Sequence, residues 1–395
     1  MGRSGSGLVW RMVVALGLWA VAVLPLSAGE EEQAPSLDVP YVPTHQKAVD
    51  EMLKLANVAT GDYVIDLGCG DGRIVVTAAK KYKVRGLGVD LDPKRLRESK
   101  RNAEKAGVTD LVEFRKEDVM ITDVSKANVV TLFLLEDVNV RLRPKLLCDL
   151  KPGSRVVSNT FTMRDWQPEK TLNNRFAYGK KIYFWTIPAK AGGTWTWQTK
   201  LSDKEVPGCL KLQQEFQAVK GTVSCPDAAD APIAEASLNG TDLRFTAAFR
   251  VGSDQVTVAY HGTVDGDAIR GTQEWRGGAC AGSYPWTVAR KPVDLAGKWQ
   301  LRAPEQAEWN GTLHVRREAA GLKAAFVRDA EPDKELPLPG LYVWGASVRF
   351  EVPSGGWSPL AFRGTFGPDA AEGTVAPEGE EKQTPWTAKR LATSG

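Results

Sequence analysis

The chain has 395 residues, of which 43% are hydrophobic and 25% charged, and its formal net charge is +3. This length is enough for two or three domains with separate cores, and the near-neutral charge gives no support to nucleic-acid binding. The five cysteines form no zinc-type pairs and His45, His261 and His314 are scattered, so the sequence predicts no metal site.

The chain opens with a leader-like stretch. Two arginines precede the apolar run "MVVALGLWAVAVLPLSAGE", which is short for a membrane span of about twenty residues but suits a secretory signal. We therefore predict a signal peptide or an uncleaved anchor over residues 1–29, with cleavage near Ala28 or Gly29, and an acidic linker over residues 30–40. An exported or membrane-anchored protein is expected; a wrongly chosen start codon is the alternative and implies a cytoplasmic protein.

A glycine-rich turn follows the first predicted strand in "YVIDLGCGDGRIVV", residues 63–76. Apolar residues before the turn indicate a short buried strand, and those after it recur at helical spacing. Gly68, Gly70 and Gly72 are predicted to adopt positive φ or to let a ligand approach the backbone closely. The sequence thus predicts a ligand-binding loop between a strand and a helix.

The charges of this loop separate three classes of ligand. A P-loop needs Lys followed by Ser or Thr, where this chain has Arg73 and Ile74. A dinucleotide would bring its pyrophosphate close to Asp66 and Asp71, which repel it. A ligand with ammonium and sulfonium groups, as in S-adenosylmethionine, is favoured by both carboxylates; for Asp71 a helix-capping role is an equal alternative.

Two further acidic residues follow the next strands. Asp90 ends "GLGVD" about twenty residues after the loop, where a carboxylate can accept hydrogen bonds from ribose hydroxyls. In "VEFRKEDV", Asp118 follows a short predicted strand and is predicted to contact an adenine amino group, with a turn residue as the alternative. Asp92, before Pro93, is predicted to cap a helix. Because parallel strands share one carboxyl edge, these acids are expected to converge there.

Residues 41–188 resemble a class I S-adenosylmethionine-dependent methyltransferase, with "DLGCGDGR" as its first motif. Within that superfamily, "PYVPT", "GDGRIVV", "FLLEDVNVRLRPKLLCDLKPGSRVVSNTF" and "RDW" resemble the small protein-lysine methyltransferases of mitochondrial type, which act on ATP synthase subunit c and the adenine nucleotide carrier and have bacterial relatives. The resemblance implies a Rossmann-like α/β domain with a parallel-type sheet flanked by helices, S-adenosylmethionine as cofactor and a protein lysine as acceptor.

Candidate catalytic residues lie before the domain and after its fourth strand. The run "NVVTLFLLEDVN" lacks the Asn-Pro-Pro-Tyr or Asp-Pro-Pro-Tyr signature of similar enzymes that methylate bases or glutamine, so a nucleobase acceptor is disfavoured. Glu136, Asp137 and Asn139 are the polar residues there, and Tyr41 and Thr44 are expected to fold over the cofactor. The resemblance favours Tyr41 and Glu136 as catalytic, against packing or capping as alternatives.

Three functions remain open from the sequence. The leading hypothesis is a protein-lysine N-methyltransferase. The alternatives are a small-molecule O- or N-methyltransferase and a non-catalytic envelope protein that retains a cofactor-binding domain. The expected export conflicts with a cofactor that is made inside the cell.

The second half of the chain changes to short alternating strands separated by turns. Residues 191–291 and 295–391 resemble each other, each opening near a Trp and closing on "PWT". Two all-β barrel-like or sandwich-like repeats are predicted, and through them a possible cell-envelope partner. Five tryptophans are predicted to fill the cores: Trp195, Trp197, Trp286, Trp299 and Trp386. Four others would be binding candidates if exposed: Trp275, Trp309, Trp344 and Trp357. One disulfide is expected among Cys209, Cys225 and Cys280.

Overall fold

The computed structural model describes residues 40–201, 204–226, 228–251, 254–290, 294–319, 321–338, 340–344, 347–353, 359–377 and 383–392. The predicted leader and nearly all of the predicted linker lie outside these residues. No helix within them is long and apolar enough to span a bilayer.

The first part of the chain forms a seven-stranded sheet, the first sheet, with four helices. Its strands are β1 (Tyr63–Leu67), β2 (Arg85–Asp90), β3 (Val112–Lys116), β4 (Val129–Leu132), β5 (Arg155–Asn159), β6 (Lys170–Asn173) and β7 (Lys181–Thr186). The helices are α1 (Gln46–Leu55), α2 (Arg73–Tyr82), α3 (Pro93–Ala106) and α4 (Glu136–Asp149). The predicted Rossmann-like α/β architecture is confirmed.

The strand order is β3-β2-β1-β4-β5-β7-β6. Strands β1 to β5 pair in parallel, whereas β7 lies antiparallel to both β5 and β6. The expected parallel-type sheet is therefore mixed, because the connection from β6 to β7 is too short for a parallel crossover. Since β1 pairs with both β2 and β4, its carboxyl end opens at the topological switch point, where ligands bind in such sheets.

Apolar cores lie on both faces of the first sheet. On one face, Val64 packs with residues of α1 and α2, such as Met52 and Val75. On the other face, Ile65 packs with residues of α4, such as Leu142. The alternation of Val64 and Ile65 between the two cores follows from the period of a strand.

The next part of the chain is a closed eight-stranded antiparallel barrel. Its strands are β8 (Gly193–Leu201), β9 (Lys204–Glu215), β10 (Ala218–Ser224), β11 (Ala231–Asn239), β12 (Asp242–Val251), β13 (Asp254–Asp265), β14 (Ala268–Arg276) and β15 (Gly282–Ala289). Each strand pairs with its sequence neighbour, and β15 returns to β8 through Ala289 opposite Thr196. Closure removes the free strand edges.

The last part is a nine-stranded antiparallel sheet, called here the open sheet. Its strands are β16 (Gly297–Arg302), β17 (Gly311–Glu318), β18 (Gly321–Arg328), β19 (Glu335–Pro337), β20 (Leu341–Trp344), β21 (Ser347–Val352), β22 (Leu360–Phe366), β23 (Ala370–Pro377) and β24 (Thr384–Arg390). A short 3-10 helix, Pro304–Trp309, follows β16. Strands β18 and β20 contact each other although six strands separate them in the sheet order, so the sheet curls round on itself.

The same pair of contacts recurs in the closed barrel and the open sheet. Trp195 Nε1 donates to the carbonyl oxygen of Ala191 at 2.8 Å, and Trp299 Nε1 donates to that of Leu295 at 2.9 Å. A guanidinium carbon lies over each indole, that of Arg290 at 4.5 Å from the Trp195 ring centre and that of Arg390 at 4.4 Å from the Trp299 ring centre. Each unit thus joins its first strand to the C-terminal end of its last strand by one cation–π pair.

The predicted tryptophan cores are confirmed, and two of the four tryptophans named as binding candidates if exposed are buried. Trp195, Trp197, Trp286, Trp299 and Trp386 are all buried. Trp275 and Trp309 are buried as well, so they offer no surface for a ligand, while the side chain of Trp344 and all of Trp357 lie outside the described residues. The expected disulfide is wrong, because all five cysteines are free thiols.

The three sheets pack into one compact unit. The Trp166 indole of the "RDW" segment stacks on Phe216 of the closed barrel, with ring centres 5.7 Å apart, and its Nε1 donates to Gln217 Oε1 at 2.6 Å. The Tyr342 hydroxyl of the open sheet donates to the carbonyl oxygen of Arg143 in α4 at 3.4 Å. Both β-rich units therefore contact the α/β domain directly.

Candidate active site

A cleft of about 300 Å³ opens at the carboxyl edge of the first sheet. Seven of the nine predicted site residues line it: Tyr41, Asp66, Gly68, Gly70, Asp71, Asp90 and Asp118. Gly72 and Glu136 lie beside the cleft, outside its lining. A volume of this size is within the range of small-molecule sites, so the sequence reasoning converges on one cavity.

The glycine loop forms the floor of the cleft. Gly68 and Gly70 have φ of +79° and +53°, as predicted. A Cβ atom on Gly68 would lie 2.7 Å from Leu134 Cδ2, and one on Gly70 would lie 2.5 Å from Tyr41 Cε2. Only glycine satisfies both the backbone conformation and the contact at these positions, so the loop can present its backbone closely to a ligand.

Asp66, at the end of β1, is almost fully buried, with 2% of its surface exposed. The Thr131 hydroxyl donates to Asp66 Oδ1 at 2.7 Å. Burial raises the pKa of Asp66 to about 7, and the charges of Asp90 and Asp71 act in the same direction, against the Thr131 hydrogen bond. The carboxyl group is thus balanced between its neutral and ionised forms, and a cationic ligand beside it would favour the ionised form.

Asp90, at the end of β2, is held by two backbone amides. Its Oδ2 accepts from Gly70 N–H at 2.8 Å, and its Oδ1 accepts from Asp92 N–H at 2.9 Å. Because an ionised carboxylate has about four acceptor sites, each oxygen retains capacity for a ligand hydroxyl. Asp92 caps α3 by accepting from Lys94 N–H at 2.7 Å, which confirms the predicted cap.

Asp71 is committed to an ion pair. Arg73 Nε lies 2.8 Å from Asp71 Oδ1 and Arg73 Nη2 lies 2.5 Å from Asp71 Oδ2, while Arg73 Nη1 donates to the Thr44 carbonyl oxygen at 2.7 Å. Gly72, not Asp71, takes the N-cap position of α2. The Asp71 charge is therefore used within the protein to fasten the "PYVPT" segment to the glycine loop.

Tyr41 covers the loop from the N-terminal side. Its ring packs against Gly70, and the Arg95 guanidinium lies 4.1 Å from the ring centre. Partial burial, together with the Asp71 charge, raises the pKa of the Tyr41 phenol. Tyr41 consequently keeps its proton at neutral pH and acts as a hydroxyl group rather than as a base.

Asp118 lies two residues after β3. Its Oδ1 accepts from Met120 N–H at 2.9 Å, the hydrogen bond of a turn residue. The same side chain lines the cleft next to Val119 and Met120. The position of Asp118 is thus compatible both with a turn residue and with contact to an adenine amino group.

Glu136 begins α4, where it accepts a hydrogen bond from the Thr162 hydroxyl. Asp137 forms an ion pair with Arg164. The buried Asn139 donates to the Phe161 carbonyl oxygen at 3.3 Å. These contacts join the first turns of α4 to the loop that follows β5. In this loop, Thr160 and Arg164 have positive φ, of +76° and +52°. Strained backbone of this kind is held only where surrounding contacts fix it.

Comparison with known proteins identifies this part of the chain. The profile of the ANTKMT methyltransferase domain family matches residues 66–170. A protein-lysine N-methyltransferase of Saccharolobus islandicus is 50% identical over 135 residues, which are 34% of this chain and 84% of that relative. The adenine nucleotide translocase lysine N-methyltransferase of Mus musculus is 32% identical over 165 residues, 42% of this chain and 68% of that relative.

The chain belongs to this family of protein-lysine N-methyltransferases. Among solved structures, an RNA methyltransferase from Salinibacter ruber in complex with S-adenosyl-L-homocysteine is 48% identical, with coverage of 37% of this chain and 94% of that chain and a TM-score of 0.36. The family profile ends at residue 170, before the first strand of the closed barrel.

Sequence reasoning missed three residues that support the methyltransferase site. Arg73 was considered only as a departure from a P-loop, yet it joins Asp71 to Thr44. The Ser99 hydroxyl donates to the Gly70 carbonyl oxygen, and Asn102 Nδ2 donates to the Asp71 carbonyl oxygen, both at 2.9 Å. Ser99 and Asn102 lie three residues apart on α3, a spacing that puts them on one helix face and was the available signal.

Proposed function

We propose that this chain transfers the methyl group of S-adenosylmethionine to a lysine side chain of a protein, with the cofactor in the cleft at the carboxyl edge of the first sheet. The observation that carries the proposal is the pairing of a glycine floor with two carboxyl groups, Asp66 and Asp90, in one cleft of a protein-lysine methyltransferase domain. When bound, S-adenosylmethionine supplies an electrophilic methyl group on a positively charged sulfur.

The residues of the cleft fit this cofactor. Asp90 is fixed by two amides and has acceptor capacity for ribose hydroxyls. Asp118 lines the cleft after β3 and is proposed to accept from an adenine amino group. Gly68 and Gly70 leave room for close backbone approach. Asp66 contributes negative charge where the ligand is cationic, and a cationic neighbour lowers the pKa that burial has raised.

Tyr41 is the proposed catalytic residue with direct access to the cleft. A lysine amine attacks only when neutral, although its ordinary pKa is about 10.4. Partial desolvation in the cleft favours the neutral amine, and the protonated Tyr41 hydroxyl can accept one amine N–H through its oxygen and so orient the nitrogen lone pair. Alignment and exclusion of water are the main requirements of such an in-line displacement.

Glu136 is proposed as a second contributor from the start of α4. Its carboxylate is held by Thr162 on a loop whose backbone is strained at Thr160 and Arg164. Such fixing favours a carboxylate that must keep one orientation. We propose that it attracts the lysine ammonium group toward Tyr41, and that the ammonium group releases its proton to solvent before the neutral amine attacks the methyl carbon.

Transfer of label from S-adenosylmethionine to a protein extract tests the proposed function. The full chain should label protein, and mass spectrometry should place the methyl groups on lysine side chains. Tyr41→Phe should lower kcat at unchanged cofactor affinity, whereas Asp90→Ala should lower cofactor affinity. Label found only in small metabolites would support the small-molecule alternative, and cofactor binding without any transfer would support the non-catalytic one.

Two wider parts of the proposal rest on the sequence pattern. We propose that the leader directs the protein to export or to a membrane anchor, and that the closed barrel and open sheet are copies of one β fold that meets a partner in the cell envelope. The recurrent indole–guanidinium pairs support common ancestry of the two β units. Sequencing the N-terminus of protein from its native cells tests the leader: a start near residue 29 supports export, and a start at Met52 contradicts it.

A further inference from the structure

Exposed apolar side chains are concentrated at the methyltransferase cleft. The large hydrophobic residues that are exposed in the described part of the chain are Tyr41, Val42, Ile121, Leu135, Tyr178 and Leu391. Tyr41 and Val42 line the cleft, while Leu135 and Ile121 directly follow the lining residues Leu134 and Met120. Single exposed hydrophobic residues are ordinary, but a cluster at one opening is typical of an interaction site.

The glycine loop shows that the first parts of this cluster lie together. Leu134 contacts the loop at Gly68, and Tyr41 contacts it at Gly70, two residues further on. Val42 and Leu135 directly follow these two contact residues in the chain, and both are exposed. Ile121, which is 73% exposed, follows the Asp118–Met120 wall of the same cleft. We call Val42, Leu135 and Ile121 the apolar rim.

The hydrogen bonds of Leu135 and Ile121 do not require apolar side chains at these positions. Leu135 contributes its backbone to the start of α4, where its carbonyl oxygen accepts from Asn139 N–H at 3.0 Å. Ile121 donates its backbone N–H to the Asp118 carbonyl oxygen at 3.1 Å. Both roles belong to the main chain and are open to polar side chains, so the apolar side chains are available to a partner.

We propose that the apolar rim is the docking surface for large apolar side chains that flank the target lysine in the protein substrate. The inference rests on the proposed function, because a substrate lysine must enter this cleft and bring its neighbours in sequence to the rim. Burial of apolar area is the main non-directional source of binding free energy, so the rim would select segments by hydrophobic flanks rather than by one specific residue.

Two peptides of thirteen residues test this inference. Each carries one central lysine, flanked on both sides by two leucines in one peptide and by two serines in the other. With the full chain, kcat/KM for the leucine peptide should exceed that for the serine peptide by about tenfold, the effect of burying part of one or two apolar side chains. The double variant Ile121→Ser, Leu135→Ser should reduce this ratio to about one and leave affinity for S-adenosylhomocysteine unchanged.

Leu391→Ser is the matched control, because Leu391 and Leu135 are each 37% exposed and Leu391 belongs to the β-rich part. The control should keep the tenfold preference. Thermal unfolding of each variant checks the fold, and Ile121→Ser alone serves if the double variant is unstable, since Ile121 is the more exposed residue.

The outcomes separate this inference from the proposed function. Equal kcat/KM for the two peptides, or a preference that survives in the double variant, overturns the inference. Methylation of lysines in a protein extract with neither peptide accepted also overturns it, while leaving the proposed function in place. Transfer to no acceptor contradicts the proposed function itself. If the wild type sediments with vesicles of phosphatidylethanolamine and phosphatidylglycerol and the double variant does not, the rim docks to membrane and the inference is overturned.

Discussion

The methyltransferase domain and the β-rich half differ in the residues that they bury. In the first, acidic side chains are gathered at one sheet edge, and one of them, Asp66, is almost fully buried with a hydrogen bond from the Thr131 hydroxyl. In the second, aromatic rings fill the interior, as with Trp286 and Trp386. Burial of charge costs stability and burial of aromatic area provides it. Chemistry and stability are thus concentrated in different regions of one compact unit.

Removing a core tryptophan should give the largest effect and sharpen this contrast. Trp386 is buried in the open sheet, where its ring edge faces Gly364 and its Nε1 donates to the Thr374 carbonyl oxygen at 3.0 Å. We expect Trp386→Ala to lower the free energy of unfolding by about 3–5 kcal/mol. Denaturant unfolding measures it. Cofactor affinity at 15 °C should be unchanged, and a matching loss of affinity would contradict the separation of roles.

Asp66→Asn should instead raise the free energy of unfolding at pH 8. The Asp66 pKa is raised from 3.8 to about 7 in the folded protein, so the folded state binds more protons between those values and stability falls as pH rises from about 4 to 7. Asparagine keeps an acceptor for Thr131 and does not ionise. We expect the variant to be more stable than the wild type at pH 8, by about 2–4 kcal/mol, with the difference narrowing toward pH 4.

Thermal unfolding at pH 8 and at pH 5, without cofactor, checks this prediction. The variant should also bind S-adenosylmethionine more weakly, because it lacks the charge that a cationic ligand favours. A variant that is less stable than the wild type at pH 8 would show that the buried carboxylate is not a source of strain.

Asp90→Ala should affect binding more than stability. The substitution removes the acceptor for Gly70 N–H and Asp92 N–H as well as the proposed ribose contact. Charge-assisted hydrogen bonds of this kind contribute about 1.5–3 kcal/mol, so we expect cofactor affinity to fall about 100-fold. Calorimetric titration with S-adenosylhomocysteine measures the loss. Asp92→Ala removes the α3 cap and an ion pair with Arg95 but no proposed ribose contact, and it should change affinity less than threefold.

Arg73→Gln should give the smallest effect. It frees Asp71 and the Thr44 carbonyl oxygen and so loosens the segment that carries Tyr41. Because the pair is partly exposed, with 30% of the Arg73 side chain in solvent, we expect a loss of about fivefold in kcat/KM. Arg115→Gln, which breaks an exposed pair with Glu113, is the control and should leave kcat/KM unchanged.

The sequence predicted those features of the site that follow from strand ends. Asp66, Asp90 and the glycines come directly at the ends of predicted strands, and parallel strands bring such ends together whatever the loops do. Nothing in the sequence indicated the contact that joins the Asp71–Arg73 ion pair to Thr44. Thr44 lies 29 positions before Arg73 and comes near it only in the folded chain. Contacts of that range leave no periodic signal.

In the β-rich half, burial was easier to predict than exposure. Trp195 and Trp299 follow an identical pattern at the start of each unit, and both proved to be core residues. Trp275 and Trp309 would have been binding candidates if exposed, but both are buried. Trp275 Nε1 donates to Gln273 Oε1 at 3.2 Å, and a single sequence gives no sign of such an internal partner.

A crystal structure of the full chain with S-adenosylhomocysteine tests the central claim most directly. We predict density for the ligand on the glycine loop, with both ribose hydroxyls within 3.2 Å of the Asp90 carboxylate oxygens, the usual hydrogen-bond limit. Density for the ligand elsewhere, with the Asp90 carboxylate contacting only the Gly70 and Asp92 amides, would contradict the account.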